Sequence, residues 1–149
     1  MYSWIDDILH GLKETYNTDK IFELLDCINI TIIKLDCNNI LLRGNESFYN
    51  RDHLGNEVIF IRNDLNLEFE KFVLAHELGH ALLHTHMYEA AFNKSLINSC
   101  KLEKQANYFA FNLLKFDIDS SSFEGFTLEQ IAHSLCIPLN CLNAIQDKF

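Results

Sequence analysis

The chain has 149 residues, 48% of them apolar, with five glycines and one proline. That suits one core-forming domain over residues 1–149 and excludes long linkers and low-complexity tracts. Its formal net charge of −9, from 12 basic and 21 acidic residues, is a poor footprint for direct nucleic-acid binding, where a basic face is expected.

The opening Met1-Tyr2-Ser3-Trp4-Ile5-Asp6-Asp7 lacks the basic start and the apolar stretch of a secretory signal. No apolar run reaches membrane-spanning length. Cytoplasmic residence, with no membrane partner, is therefore expected. In that compartment Cys27, Cys37, Cys100, Cys136 and Cys141 are expected to be reduced. They contain no Cys-x-x-Cys pair and read as mostly buried small hydrophobes.

Trp4, Ile5, Ile8, Leu9 and Leu12 recur at helical spacing, with Ser3 as the expected cap. A second helix is predicted over Thr18 to Cys27. The β-branched run Ile30 to Leu35 reads as a strand, Asn38-Asn39 as a turn, and Ile40 to Leu42 as a further strand. Ser47 to Asn50 is a third candidate strand, Asp52 to Asn56 a loop, and Val58 to Ile61 a short apolar strand. After a break at Asn63 to Asn66, a long helix is predicted from Leu67 to about Thr85, with Glu68 and Glu70 suiting its dipole. Met87 to Ser99 gives no clear pattern. Cys100 to Lys115 reads as a helix and Asp117 to Gly125 as a loop. Thr127 to Leu135 and Pro138 to Gln146 read as two short helices. This order predicts an α+β fold: a small, mostly antiparallel sheet packed against the long helix, with further helices at both ends.

His76-Glu77-Leu78-Gly79-His80 lies inside the strongest predicted helix. Four residues advance a helix by about 400° and ~6 Å, so the two imidazoles share a face and can converge on one tetrahedral ion. Glu77, about 100° round from His76, flanks that position and suits a general base. A hydrolytic zinc centre needs a third protein donor and one open position. Glu103 on the next long helix is the candidate, and Asn107, one turn on, could fix a histidine tautomer. The competing reading is a pair of surface histidines on an amphipathic helix, with Glu103 a solvated carboxylate beside Lys101 and Lys104. Gly79 costs helix stability, about 1 kcal/mol against Ala; close packing of another segment over the helix would compensate.

Together these residues resemble the ImmA/IrrE family of metallopeptidases. The matching stretch contains Val58-Ile59-Phe60-Ile61-Arg62-Asn63, Phe72-Val73-Leu74-Ala75-His76-Glu77-Leu78-Gly79-His80-Ala81-Leu82-Leu83-His84, and Glu103-Lys104-Gln105-Ala106-Asn107-Tyr108-Phe109-Ala110 with Leu113-Leu114. The resemblance implies a gluzincin-like domain with one Zn2+ per chain on His76, His80 and Glu103, and catalysis by Glu77. It also implies a setting on a phage or mobile element and a protein partner, a DNA-binding repressor in another chain, that is cleaved or inactivated. Where the family often continues Met-Pro after the Leu-Leu pair, Lys115-Phe116 follows here, and the first fifty residues match only loosely. The alternative to proteolysis is a binding module that silences a repressor by sequestering it.

The remaining candidates carry ordinary readings too. His84 continues the histidine stripe; it can cap carbonyls and pack, or stand behind a ligand. Tyr108 and Tyr88 are candidates for stabilising an oxyanion, and sequence places neither. Thr127 to Ile145 has the rhythm of a helix-turn-helix with one basic residue before Lys148, which favours packing or partner recognition over DNA contact. An extended substrate could pair with Val58 to Ile61 if that strand forms a sheet edge. Oligomeric state is left open.

Overall fold

A computed structural model describes residues 2–93, 101–114 and 123–143. Helix α1 spans Ser3–Tyr16 and buries Ile5, Leu9 and Leu12 along one stripe. Its N-cap is Tyr2, which makes no side-chain cap bond; Ser3, the expected cap, is already the first helical residue. Asn17 ends the helix in the left-handed region (φ 52°) and donates its N–H to the Lys13 carbonyl, a conformation asparagine tolerates. Helix α2, Ile21–Ile28, starts three residues later than expected and ends the same way at Asn29 (φ 66°).

Strand β1 covers Ile30–Leu35. Ile40–Leu42, expected as a strand, is instead one 3-10 turn. Asn39 accepts from the Leu41 N–H at its start, while Arg43 (φ 52°) and Gly44 (φ 78°) turn the chain left-handed at its end. Those local bonds outweigh the β preference of three apolar residues. Strands β2 (Ser47–Arg51) and β3 (Glu57–Arg62) follow. β4, Glu89–Phe92, falls within the stretch that gave no clear pattern. Its alternation is real, with Ala90 and Phe92 inward, but two alanines hide it because alanine is depleted in strands.

Among the described residues the sheet order is β1-β3-β2-β4. β1 runs parallel to β3, and β2 is antiparallel to both β3 and β4. The fold is therefore α+β with a mostly antiparallel sheet, as expected. The strand Val58 to Ile61 belongs to β3, between β1 and β2. Both its edges are already paired, so it offers no place for a substrate strand. β1 and β4 form the edges.

Helix α3, Leu67–Leu83, is the spine of the molecule. Asn66 caps it by accepting from the Phe69 N–H at 2.8 Å, which satisfies one of the four orphan donors. Every residue from Phe72 to Ala81 is buried. The helix is thus buried all round, unlike an amphipathic surface helix. It packs on β3, β4, α2 and the helix α4, Lys101–Leu113. Glu70, buried in its first turn, meets Lys34 of β1 at 2.9 Å.

α4 packs tightly against Gly79. A Cβ built there would lie 3.2 Å from a Phe109 ring carbon and 3.3 Å from the Ala106 Cα. That is the close packing which offsets the helical cost of Gly79.

Helices α5 (Leu128–Leu135) and α6 (Leu139–Asn143) complete the described chain. Thr127 and Gln130 form a reciprocal capping box at α5, and Pro138 directly precedes α6. The expected helix end at Gln146, the segment 94–99, Cys100, Lys115 and most of the 117–125 loop lie outside the described residues. Of the four described cysteines only Cys141 is buried; Cys27 and Cys136 are exposed and Cys37 intermediate. The reading of the cysteines as mostly buried hydrophobes is therefore corrected. Cys27 and Cys136 fall at helix ends, where chain reversal exposes them.

Candidate metal centre

α3 presents His76 and His80 one turn apart, both essentially without solvent exposure. Their Nε2 atoms are 3.1 Å apart. α4 brings Glu103 against them, with one carboxylate oxygen 3.3 Å from His76 Nε2 and the other 3.2 Å from His80 Nε2. Among the described residues these three form the group that could hold a metal ion.

The outer ring nitrogens are engaged elsewhere. His76 Nδ1 lies 2.9 Å from Asn107 Oδ1, an amide oxygen that can only accept. His76 therefore donates from Nδ1, and its Nε2 carries a lone pair. His80 Nδ1 lies 2.9 Å from Nδ1 of His84, whose Nε2 lies 3.0 Å from Gln105 Oε1. His84 closes α3, donating its own backbone N–H to the His80 carbonyl at 3.0 Å.

This donor set fits a small divalent cation. Ligands held about 2.0–2.1 Å from a tetrahedral ion stand roughly 3.3 Å from one another, close to the spacings found here. Nitrogen lone pairs and a carboxylate facing each other inside a protein repel unless a positive charge lies between them. In the metal-free protein, protonated imidazoles supply that charge: burial pushes the Glu103 carboxyl up, but hydrogen bonding and charge from His76 and His80 outweigh it and hold it well below the usual carboxylate range.

Glu77 sits beside this cluster, fully buried. Ser47 Oγ donates to its Oε1, while its Oε2 has no hydrogen-bond partner. Burial pushes the Glu77 carboxyl up to about 7, and the Glu103 charge adds to this. His80, Ser47 and the Phe92 backbone N–H pull the other way without cancelling it. Sheet register places these neighbours: Ser47 of β2 pairs with Phe92 of β4, so both strand ends lie over Glu77. The Phe92 ring also meets the His76 ring edge-on at 5.0 Å between centroids.

The two tyrosines point elsewhere. Tyr108 donates its hydroxyl to Asp6 of α1 at 2.9 Å and packs edge-on against Tyr2. Burial and the Asp6 carboxylate push its pKa up to about 12. Tyr88 is 61% exposed with the Arg51 guanidinium 5.0 Å over its ring. The structure brings neither into the histidine cluster.

Sequence reasoning missed Ser47, Gln105, Phe92 and Arg51. Arg51 donates to the Thr85 and Met87 carbonyls and so holds the turn from α3 into β4. Ser47 is thirty residues from Glu77, and no sequence spacing signals their meeting. Gln105 gave one faint signal, a polar residue between Glu103 and Asn107 on a helix with a buried face.

A buried H-E-x-x-H helix on a mostly antiparallel sheet, with a carboxylate delivered by a second helix, matches the pattern of a metallopeptidase type of centre. Residues 25–117 match the IrrE N-terminal-like domain, Peptidase_M78, and the chain belongs to that metallopeptidase family. It is 34% identical over 134 residues to uncharacterized immunity region protein 2 of Bacillus phage phi105, covering 88% of this chain and 82% of that protein. It is 31% identical over 137 residues to the metallopeptidase ImmA of Bacillus subtilis (strain 168), covering 87% of this chain and 76% of that protein. Among the described residues no helix is long and apolar enough to cross a membrane.

Proposed function

We propose that the chain is a zinc-dependent endopeptidase that cleaves a regulatory protein, a DNA-binding repressor of a phage or mobile element. The observation carrying this reading is the convergence of His76 Nε2, His80 Nε2 and the Glu103 carboxylate on one point beside a buried carboxylate with a free oxygen. Two imidazoles and one carboxylate are the donor set of catalytic zinc sites, which keep one position open. The relatives named for a phage immunity region and for metallopeptidase activity support the biological setting.

His76, His80 and Glu103 would hold the ion, one per chain. An ion bound there supplies Lewis acidity, polarising a scissile carbonyl and bringing the pKa of a water toward 7. Ser47 fixes one oxygen of Glu77 and leaves Oε2 to accept the proton of the attacking water. Glu77 must then give the proton to the leaving amine, so the same oxygen serves both halves of the task. β4, as an edge of the sheet next to the centre, replaces β3 as the strand along which an extended substrate aligns.

The test is co-incubation with candidate DNA-binding repressors from the same genome, wild type against Glu77→Gln, read by mass spectrometry. Wild type should generate defined fragments; Glu77→Gln should retain zinc and generate none. Cleavage by Glu77→Gln would refute the assigned base. Silencing of the repressor by Glu77→Gln, without fragments, would favour sequestration.

A further inference from the structure

We propose that Gln105 and His84 act as a two-residue relay that sets which nitrogen of His80 carries its proton, and so govern metal affinity without touching the metal. The inference rests on the ligand reading of His76, His80 and Glu103 above.

The argument is one of counting protons. The two Nδ1 atoms of His80 and His84 are 2.9 Å apart, so one proton lies between them. If His84 supplies it, a neutral His80 carries its own proton on Nε2, aimed at Glu103 and unable to ligate. If His80 supplies it, the Nε2 lone pair faces the cluster. The choice is made one bond further out. His84 Nε2 lies 3.0 Å from Gln105 Oε1, an oxygen with no proton to give. His84 must therefore donate from Nε2. Its Nδ1 is then bare and must accept from His80.

The arrangement differs instructively from that of the other histidine. His76 reaches an α4 amide oxygen directly, at Asn107. His80 sits one turn nearer the end of α3, and the same kind of acceptor on α4 reaches it through an inserted imidazole. Both His84 (2% exposed) and Gln105 (5% exposed) are buried, so water does not readily replace either partner. The same helix that carries Glu103 thus sets the proton positions of both histidines. His84 and Gln105 are positioning residues in this scheme.

Two measurements on the full-length chain test it. Imidazole 15N–1H correlation spectra of the metal-free protein should show His84 protonated at Nε2 and His80 at Nδ1. A His84 carrying its proton at Nδ1 would overturn the relay. Zinc affinity, by competition with a chromogenic chelator, should stay within about threefold of wild type in Gln105→Glu, which keeps an acceptor. It should fall roughly 10- to 100-fold in Gln105→Met and His84→Phe, and further in Gln105→Lys, whose donors impose the opposite proton order. Wild type that binds zinc, with Gln105→Met and Gln105→Lys binding equally well, would sink the relay and leave the ligand set standing. Wild type that binds no zinc would sink the ligand set itself.

Discussion

The centre has two halves built by different means. On one side α3 and α4 cross, and their side chains supply the candidate metal donors together with Asn107, Gln105 and His84 behind them. On the other, α3 meets the ends of β2 and β4, which supply the anchors of Glu77. The helix–helix half is a ring of electron-rich atoms and, in the proposed function, would determine whether an ion binds. The helix–sheet half fixes one oxygen of a carboxylate and, in that function, would determine whether bound substrate turns over. Damage to the two halves should therefore look different.

The largest effect is expected from the donor half. Glu103→Ala removes the only anionic donor of the set, and zinc content after supplementation and dialysis should fall to near zero, read by elemental analysis. Gly79→Val attacks the same half through the crossing. Its added carbons meet the Ala106 backbone and the Phe109 ring, so α4 must move and carry Glu103 with it. Overpacking of this kind costs about 2–3 kcal/mol, and denaturant unfolding should show that loss together with weaker zinc binding. Unchanged zinc affinity in Gly79→Val would mean that the crossing does not position the third donor.

The sheet half is separated by its pH behaviour. In metal-free protein the folded Glu77 carboxyl holds its proton to about pH 7, against an ordinary value of 4.5. The folded state thus binds more protons between those values, and stability falls as pH rises through that interval. Glu77→Gln cannot ionise and escapes this loss. Metal-free Glu77→Gln should be more stable than metal-free wild type by about 2–3 kcal/mol at pH 8 and nearly equal to it at pH 4. Chemical denaturation at both pH values reads this, and an equal difference at both would contradict the assigned burial cost. The smallest effect is expected from Ser47→Ala. Its zinc content should match wild type while cleavage slows about tenfold, the worth of one hydrogen bond to a charged group. Loss of zinc in Ser47→Ala would erase the division between the halves.

Legibility in the sequence followed the range of the forces involved. The α3 start is readable because the Asn66 cap and the acidic first turn are local, while its end falls at Leu83, two residues short of the expected Thr85. The 3-10 turn at Ile40–Leu42 was misread because three apolar residues carry a weaker signal than the Asn39 cap and the left-handed pair after it. β4 was missed because it is held by pairing with β2 more than by its own residues. The edge position assigned to Val58 to Ile61 failed for a related reason: strand order is a property of the sheet, and β1 closes β3 from its far side in parallel.

The sequence by itself determined that His76 and His80 share one helix face with Glu77 beside them, since a helix fixes neighbours four residues apart through its own backbone bonds. It also marked Gly79 as a place where another segment approaches. It named Glu103 as the candidate carboxylate, while tertiary structure alone decided that this carboxylate faces the imidazoles, which nitrogens point inward, and what holds Glu77. Those contacts join residues 21 to 31 positions apart. They exist because two helices cross at a glycine and two strands pair in one register, geometry set by packing across the core.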